Sequence, residues 1–226
     1  MKKILLLLLF ITTARAEEHP TRPGVPVAGD VVSRLGAAER KKIKQEAEAA
    51  AEKEDYARAL ALYQRLAAAG VSDSYKALGW LYEKGGPGLA QNYATAKEWY
   101  EKAIAAGDRD SYGVIGYLYE EGGPGLERNW AAAQQWYEKA ITAGNGDGYL
   151  WIAKLYREGG PGIERNYATA RQWYEKAGGD SDSYGLMGTL YEEGGPGLEQ
   201  DLEQACYYYL KAGPDWREEA ERTCSR

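Results

Sequence analysis

Hydrophobic residues recur along this chain at the spacing of a helix face, and polar turns interrupt them at regular intervals. Tyr75, Leu78 and Leu81 lie three residues apart, which places them on one side of a helix. The Gly-Gly-Pro-Gly run at 85–88 ends that helix, because glycine accepts left-handed backbone angles and proline lacks the N–H that a helix needs. A second stripe of tyrosine and alanine follows over 93–103. Each such stretch therefore predicts a hairpin of two antiparallel helices.

The hairpin pattern returns with a nearly fixed period. Four Gly-Gly-Pro-Gly turns carry Pro87, Pro124, Pro161 and Pro196, which are separated by 37, 37 and 35 residues. A period in this range is typical of a solenoid. One hairpin buries too few aromatic side chains to offset the entropy of ordering its backbone, so neighbouring hairpins must stack. The predicted fold class is all-α, an α-solenoid of stacked antiparallel helix hairpins.

The recurring residues resemble the Sel1-like repeats, which belong to the tetratricopeptide-repeat superfamily. Leu-Tyr before the turn, and Asn-Tyr-Ala-x-Ala and Trp-Tyr-x-Lys-Ala after it, return along 71–213 with small changes. An earlier half-match at 55–63 has no Gly-Gly-Pro-Gly turn before it. We therefore expect four Sel1-like repeats over 71–213 and a more tetratricopeptide-like hairpin over 38–70, whose first helix covers roughly 38–53.

The start of the chain has the pattern of a secretory signal peptide. Two lysines precede an apolar core at 4–11, and an Ala-x-Ala site follows, so we expect cleavage after Ala16. The segment 17–37 contains three prolines and little apolar periodicity, which predicts a flexible leader. The short core and di-lysine start are typical of bacteria, so the expected location is the periplasm or the cell exterior.

The chain is acidic, with a formal net charge of −6 at pH 7. Removal of 1–16 takes away three basic and no acidic residues, which leaves 25 basic and 34 acidic groups and a charge of −9. Such a surface disfavours nucleic acid and anionic membranes and favours a basic partner. We expect another protein as the partner, no insertion into a membrane, and a monomer.

The two cysteines, Cys206 and Cys224, lie in the last repeat and in the closing segment 214–226. Pro214 suits the first turn of a helix, so 214–226 are predicted to form a capping helix that folds back on the stack. An even pair of cysteines in an oxidising compartment favours a disulfide over a reactive site. We therefore predict a Cys206–Cys224 bond that closes the end of the solenoid.

The chain carries no recognisable catalytic, cofactor or metal motif. The only histidine, His19, lies in the predicted leader, and the sequence has no HExxH, CxxC or Ser-x-x-Lys motif. Acidic residues near the first-helix starts could suggest calcium, but Asp73, Asp110, Asp147 and Asp182 recur with the repeat and are predicted as helix caps. The prediction is a protein that is not an enzyme and that binds neither a cofactor nor a metal.

The resemblance places the first helix of each repeat on the inner, concave face of the solenoid. Positions on that face that differ between repeats are candidates for partner contact, together with Gly113 and Gly185, since the scaffold does not demand one residue there. The candidate protein-binding residues are Lys76, Trp80, Glu83, Lys84, Tyr117, Glu120, Glu121, Leu150, Lys154, Arg157, Glu158, Thr189, Glu192 and Glu193. Trp80 and Tyr117 share one repeat position and resemble aromatic binding anchors. Packing of Trp80 on the first hairpin remains the alternative.

The resemblance implies a non-catalytic scaffold for protein–protein interaction in the periplasm or outside the cell, acting through the concave groove. One alternative is an immunity protein that neutralises a toxic effector directed to the periplasm, such as a type VI secretion phospholipase, since some secreted Sel1-like proteins act in this way. A second alternative is a cell-wall or β-lactam hydrolase, because cysteine-rich relatives have been linked to β-lactams. The cysteine pattern of those relatives is absent from these repeats.

Overall fold

The computed structural model describes residues 35–225. Those residues form eleven α-helices and one 3-10 turn, and none of them belongs to a β-strand. The helices are α1 (Ala37–Glu52), α2 (Tyr56–Ala68), α3 (Asp73–Lys84), α4 (Tyr93–Ala105), α5 (Ser111–Glu121), α6 (Trp130–Thr142), α7 (Asp147–Glu158), α8 (Tyr167–Lys176), α9 (Ser181–Glu193), α10 (Leu202–Ala212) and α11 (Arg217–Cys224), with the 3-10 turn at Pro214–Trp216.

Successive helices pair into five hairpins, α1–α2 to α9–α10, and each hairpin packs on the next. The all-α solenoid predicted from the sequence is confirmed, and α1 begins within one residue of the predicted start. The predicted signal peptide, 1–16, and most of the predicted leader lie outside the described residues. Among residues 35–225, no helix has the length and apolarity that crossing a bilayer requires.

The Gly-Gly-Pro-Gly turn lies between the two helices of its own hairpin and, in three of the four repeats that have it, also bonds to the hairpin before it. Gly85 has a φ of +59°, and a Cβ at this position would lie 2.6 Å from the backbone nitrogen of Gln91, so only glycine fits. The carbonyl of Pro124 accepts a hydrogen bond of 2.8 Å from the backbone N–H of Tyr93, at the start of the preceding repeat's second helix. Equivalent bonds join Trp130 to Pro161 and Tyr167 to Pro196. The turn is therefore part of the repeat interface, which explains its recurrence.

The Leu-Gly motif of the first helices makes room for the buried tyrosines of the second helices. A Cβ at Gly116 would lie 2.3 Å from the ring of Tyr137, and one at Gly79 would lie 2.7 Å from the ring of Tyr100. Both tyrosine side chains are buried. The two helices of a hairpin therefore approach closely, and the tyrosine ring fills the space between them.

The recurring Trp-Tyr pair of the second helices divides between the surface and the core. Trp136 of α6 is only partly buried: its ring packs on Tyr112, with the centroids 6.2 Å apart, and the ammonium group of Lys139 lies 3.7 Å from its centroid. Its neighbour Tyr137 is buried. Adjacent residues on a helix point about 100° apart, so a small rotation of the buried stripe decides which ring enters the core.

The predicted aspartate caps of the first helices are wrong. Asp110 occupies the N-cap position of α5 but forms no side-chain capping bond, Asp73 and Asp147 are the first residues of α3 and α7, and Asp182 is the second residue of α9. The cap of α9 is Asp180, whose side chain accepts a hydrogen bond from the backbone N–H of Ser183. Every second helix has such a cap, for example Asn92, whose side chain accepts a hydrogen bond from the backbone N–H of Thr95. Asp73 and Asp110 instead form ion pairs between hairpins.

A candidate protein-binding groove

The described part of the molecule has a large groove that extends across the first four hairpins. We call it the central groove; it has a volume of about 880 Å³ and is lined mainly by the first helices α3, α5 and α7, and also by Ala51 of α1 and Tyr63 of α2. Trp80 and Tyr117 line it and remain 42% and 44% exposed, although both are large aromatic residues. Aromatic side chains have few rotatable bonds, so fixing them on binding costs little entropy. Exposed rings in a concave site are therefore suited to anchoring a partner.

Trp80 combines the two roles that the sequence left open. The edge of its ring meets Tyr56 of α2, with the ring centroids 6.0 Å apart and the planes at 87°. Trp80 also lines the central groove and is 42% exposed. Trp80 is therefore held in place by the first hairpin and still presents an aromatic surface to the groove.

Trp151 is a groove residue that the sequence analysis missed. It lines the central groove beside Tyr117 and packs on Tyr137, with ring centroids 5.1 Å apart. A Cβ at Gly113 would lie 2.3 Å from the Trp151 ring, so packing does fix glycine there, contrary to our expectation. The signal available in the sequence was the pairing of a large residue in one repeat with a glycine in the repeat before it, and Gly185 with Trp216 repeats this pairing.

A row of carboxylates at the end of the first helices accepts hydrogen bonds from the buried tyrosines. The Tyr100 hydroxyl donates to Glu83 at 2.6 Å, and the Tyr137 hydroxyl donates to Glu120 at 2.7 Å. Burial, followed by the hydrogen bond to the carboxylate, raises the pKa of both tyrosines far above its ordinary value. Both hydroxyls therefore stay protonated and hold the carboxylates against the core. Glu120 is only 3% exposed, so the prediction that packing leaves its position free is wrong.

One set of ion pairs spans each interface between consecutive units of the stack. At the second interface, the ammonium group of Lys76 contacts Asp108 at 3.4 Å and Asp110 at 3.1 Å. Burial alone would lower the pKa of Lys76, but the bonds to these aspartates outweigh that effect and the pKa is raised. The other interfaces carry Lys44–Asp73, Lys154–Glu120, Arg157–Glu193 and Arg222–Glu192, at 2.7–2.8 Å.

A protein-family model decides which family these repeats represent. The Sel1 repeat model matches residues 49–71, 72–108, 112–145, 147–178 and 181–213. The chain belongs to the Sel1 repeat family. The first match covers the region of α2, so the model includes part of the hairpin that lacks the Gly-Gly-Pro-Gly turn.

Two solved Sel1 repeat structures share this fold, and a third solved structure is more distantly similar. A Sel1 repeat protein from Oxalobacter formigenes is 25% identical with a TM-score of 0.57, over 82% of this chain and 79% of that one. The protective antigen c5321 of uropathogenic Escherichia coli is 28% identical with a TM-score of 0.53, over 74% of this chain and 35% of that one. The immunity protein Pa5087 of Pseudomonas aeruginosa is 19% identical with a TM-score of 0.44, over 84% and 71% of the two chains, which is too distant to bear on function. No curated protein matches the sequence.

The predicted binding residues fall into three groups in this Sel1 repeat stack. Those that line the central groove are Lys76, Trp80, Glu83, Tyr117, Glu120 and Lys154. Those that join or pack the later repeats outside the groove are Leu150, Arg157, Thr189, Glu192 and Glu193. Those exposed at the last turn of their helices are Lys84, Glu121 and Glu158. Within the first group, Lys76, Glu120 and Lys154 also form ion pairs between repeats, so Trp80, Tyr117 and Glu83 are the members that a partner could contact without breaking such a pair.

The cations of the central groove are neutralised from within the protein. Lys76 is held by two aspartates, and Lys154 lies 2.7 Å from the carboxylate of Glu120. Glu83 and Asp147, which also line the groove, form no ion pair within residues 35–225. The groove therefore combines an aromatic centre with uncompensated negative charge. In the same residues, no three His, Cys, Asp or Glu side chains form a group that could hold a metal ion.

The predicted disulfide is present at the C-terminal end. Cys206 on α10 and Cys224 at the end of α11 are bonded, with their Cα atoms 5.0 Å apart. The bond holds α11 against α10, whose Tyr207 and Leu210 are the other large exposed apolar residues in the described chain. They lie outside the central groove, so they provide a matched surface for control experiments.

Proposed function

We propose that this protein is a non-catalytic scaffold that binds a segment of another protein in the central groove. The observation that carries the proposal is the pair of half-exposed rings, Trp80 and Tyr117, at one repeat position inside a groove of about 880 Å³. Neither ring is needed to fill the space between the helices of its own hairpin, where Tyr100 and Tyr137 are buried. Membership of the Sel1 repeat family supports the proposal, since these repeats typically serve protein interaction.

We place the protein in the periplasm or outside the cell. The predicted signal peptide supports this location, and so does the disulfide between Cys206 and Cys224, because disulfides persist in oxidising compartments. Intact-mass measurement of exported protein tests the location: the chain should begin at Glu17. Recovery of the uncleaved chain, or of two free thiols, would contradict it.

The narrower role of an immunity protein is supported by the acidic character of the groove. Glu83 and Asp147 would suit a toxic effector with a basic surface. A gene for a toxin or lipase immediately beside this one would favour that role over a general adaptor. A hydrolysis assay on the purified protein with cell-wall and β-lactam substrates tests the hydrolase alternative, for which we expect no turnover.

The test of the proposed function is a comparative capture experiment from envelope extracts. The immobilised mature protein is compared with a Trp80→Ala/Tyr117→Ala variant and with a Tyr207→Ala/Leu210→Ala variant, which removes similar exposed apolar surface elsewhere. Mass spectrometry should identify proteins that the first and third samples retain and the second loses. Urea denaturation first shows that the free energy of unfolding of each variant lies within about 1 kcal/mol of that of the parent protein.

Equal capture by all three proteins would contradict the proposed function, because the groove would then be dispensable. Loss of capture only in the Tyr207→Ala/Leu210→Ala variant would move the binding surface to α10. For a partner that does depend on the groove, removal of each anchor ring should weaken binding by about 2 kcal/mol, which is about 30-fold.

A further inference from the structure

The position of the central groove limits the size of its occupant. The groove is open to solvent, and residues from the first four hairpins line it, from Ala51 of α1 to Lys154 of α7. A short segment of a partner protein could therefore contact several repeats at once.

The charge of the groove limits the composition of that segment. Four carboxylates and two ammonium groups line it, which gives a net charge of −2: they are Glu83, Asp110, Glu120, Asp147, Lys76 and Lys154. Both ammonium groups are already bonded to carboxylates of neighbouring repeats. An acidic ligand would have to break those pairs, whereas a basic ligand could reach Glu83 and Asp147, which are not ion-paired within the described residues.

The apolar centre of the groove determines which side chains of a bound segment can pack against it. Trp80, Tyr117 and Trp151 come from three successive repeats and form an apolar lining with Ala77 and Val114. Large apolar side chains of a bound segment could therefore contact these rings, and basic side chains of the same segment could reach the carboxylates of Glu83 and Asp147.

We infer that the occupant of the central groove is a short cationic segment of a partner protein that carries large apolar side chains. This inference rests on the proposed function and specifies its ligand. Both parts of the recognition are needed: the rings supply apolar contact area, and the unpaired carboxylates select the sign of the charge. The residues at the positions that differ among the repeats would thereby determine the charge and the apolar content of the ligand that binds.

Three synthetic peptides of equal length test the inference by isothermal titration calorimetry with the mature protein. The probes are the acetylated, amidated heptapeptides Lys-Leu-Lys-Phe-Lys-Leu-Lys, Glu-Leu-Glu-Phe-Glu-Leu-Glu and Lys-Ser-Lys-Ser-Lys-Ser-Lys. The first should bind at least about tenfold more tightly than either of the others, and its affinity should fall as salt is raised from 50 to 300 mM. Equal or tighter binding of the acidic peptide would overturn the inferred charge. Equal binding of the serine peptide would overturn the apolar anchors.

Charge-neutral variants locate the effect in the groove. Glu83→Gln/Asp147→Asn should weaken binding of the lysine–leucine peptide by about three- to tenfold and reduce its salt dependence. Glutamine keeps an oxygen that can accept the Tyr100 hydroxyl, so the fold should be retained. The control Glu127→Gln/Glu164→Gln removes the same charge from exposed turns outside the groove and should leave binding unchanged. Equal losses in both variants would show that net charge, and not the groove, attracts the peptide.

The inference and the proposed function can fail separately. If the lysine–leucine peptide does not bind at 1 mM while Trp80→Ala/Tyr117→Ala abolishes capture of a partner, the groove binds a protein but the inferred segment is wrong. If no capture depends on the groove rings, the proposed function is wrong, and peptide affinity would then reflect an unused surface.

Discussion

Two interfaces of the solenoid, one internal and one at its C-terminal end, use the same set of contacts. In the internal one, Trp151 of the fourth hairpin lies against Gly113 and against the buried ring of Tyr137 in the third. Glu120 accepts a hydrogen bond from the Tyr137 hydroxyl and pairs with Lys154 at 2.7 Å. A tryptophan, a glycine, a tyrosine, a glutamate and a cation thus connect two successive repeats.

The C-terminal interface builds the same arrangement without another repeat. Trp216, in the 3-10 turn, lies against Gly185 and stacks on Tyr209 with ring centroids 5.8 Å apart. Glu192 accepts a hydrogen bond from the Tyr209 hydroxyl and pairs with Arg222 of α11 at 2.8 Å. Burial raises the pKa of Tyr209 to about 12, so this hydroxyl also remains a donor at neutral pH.

The comparison shows how a short segment can end a repeat stack. The segment 214–225 has no Leu-Tyr motif and no Gly-Gly-Pro-Gly turn. It nevertheless presents a ring and a cation to the last hairpin, as a following repeat would. Within residues 35–225 no second helix packs behind α11, which buries only Ala220 and Thr223. The Cys206–Cys224 bond supplies the attachment that a partner helix gives inside the stack.

The largest expected effect is the loss of the internal tyrosine. Tyr137→Ala should lower the free energy of unfolding by about 3–5 kcal/mol, the usual range for a buried large aromatic. It removes the ring that Trp151, Gly116 and Glu120 all contact. Tyr209→Ala should cost less, because only the short cap lies beyond it. Urea denaturation of both variants measures the difference.

Phenylalanine variants separate the ring from the hydroxyl. Tyr137→Phe should cost about 1–3 kcal/mol of unfolding free energy, because Glu120 would remain buried and lose a hydrogen bond.

The alanine variants could contradict the expected difference between the two interfaces. If Tyr209→Ala proves as costly as Tyr137→Ala, the cap stabilises the last hairpin as well as a complete repeat does.

The next effect concerns the disulfide. Reduction, or the Cys206→Ser/Cys224→Ser variant, should cost up to roughly 3 kcal/mol for a loop of this length, whose sequence separation is 18. The loss should be local: amide hydrogen exchange should rise in α11 and at Trp216 and stay unchanged in α5, α6 and α7. Uniform exchange across the solenoid after reduction would show that the bond stabilises the whole stack.

The periodic features of the structure could be predicted from the sequence, because they depend on residues close together in the chain. The spacing of Tyr75, Leu78 and Leu81 gave the first-helix face, and the turn at 85–88 gave its end. The repetition of these local signals also predicted that the hairpins stack. Even the pairing of Cys206 with Cys224 followed from their number and position.

The contacts between repeats could not be predicted in the same way. Lys154 with Glu120, and Trp151 with Gly113, join residues that are 34 and 38 positions apart and differ from repeat to repeat. We interpreted variation at these positions as freedom from packing, but several of the changes are complementary across an interface. A Sel1 repeat can vary a residue when its neighbour varies with it, and one sequence alone does not distinguish this from a binding site.

The smallest expected effect tests the ion pairs of the two interfaces. Lys154→Met removes the cation beside Glu120, whose side chain is 4% exposed, whereas Arg222→Met removes the cation beside Glu192, whose side chain is 15% exposed. A carboxylate that water cannot reach is more destabilising when it loses its partner. Because Lys154 is itself half-exposed, we expect a loss of about 2 kcal/mol, below the 3–5 kcal/mol of a fully buried pair.

For Arg222→Met we expect about 0.5–1 kcal/mol, near the value for surface pairs. Each cost should disappear when the carboxylate is also removed, in Glu120→Gln/Lys154→Met and Glu192→Gln/Arg222→Met, because the double variants leave no unpaired charge. A larger loss at the C-terminal end than at the internal interface would mean that Arg222 holds the cap more firmly than the disulfide and Trp216 do. The cap would then depend on charge, and raising the salt concentration should expose α11 to hydrogen exchange before any other helix.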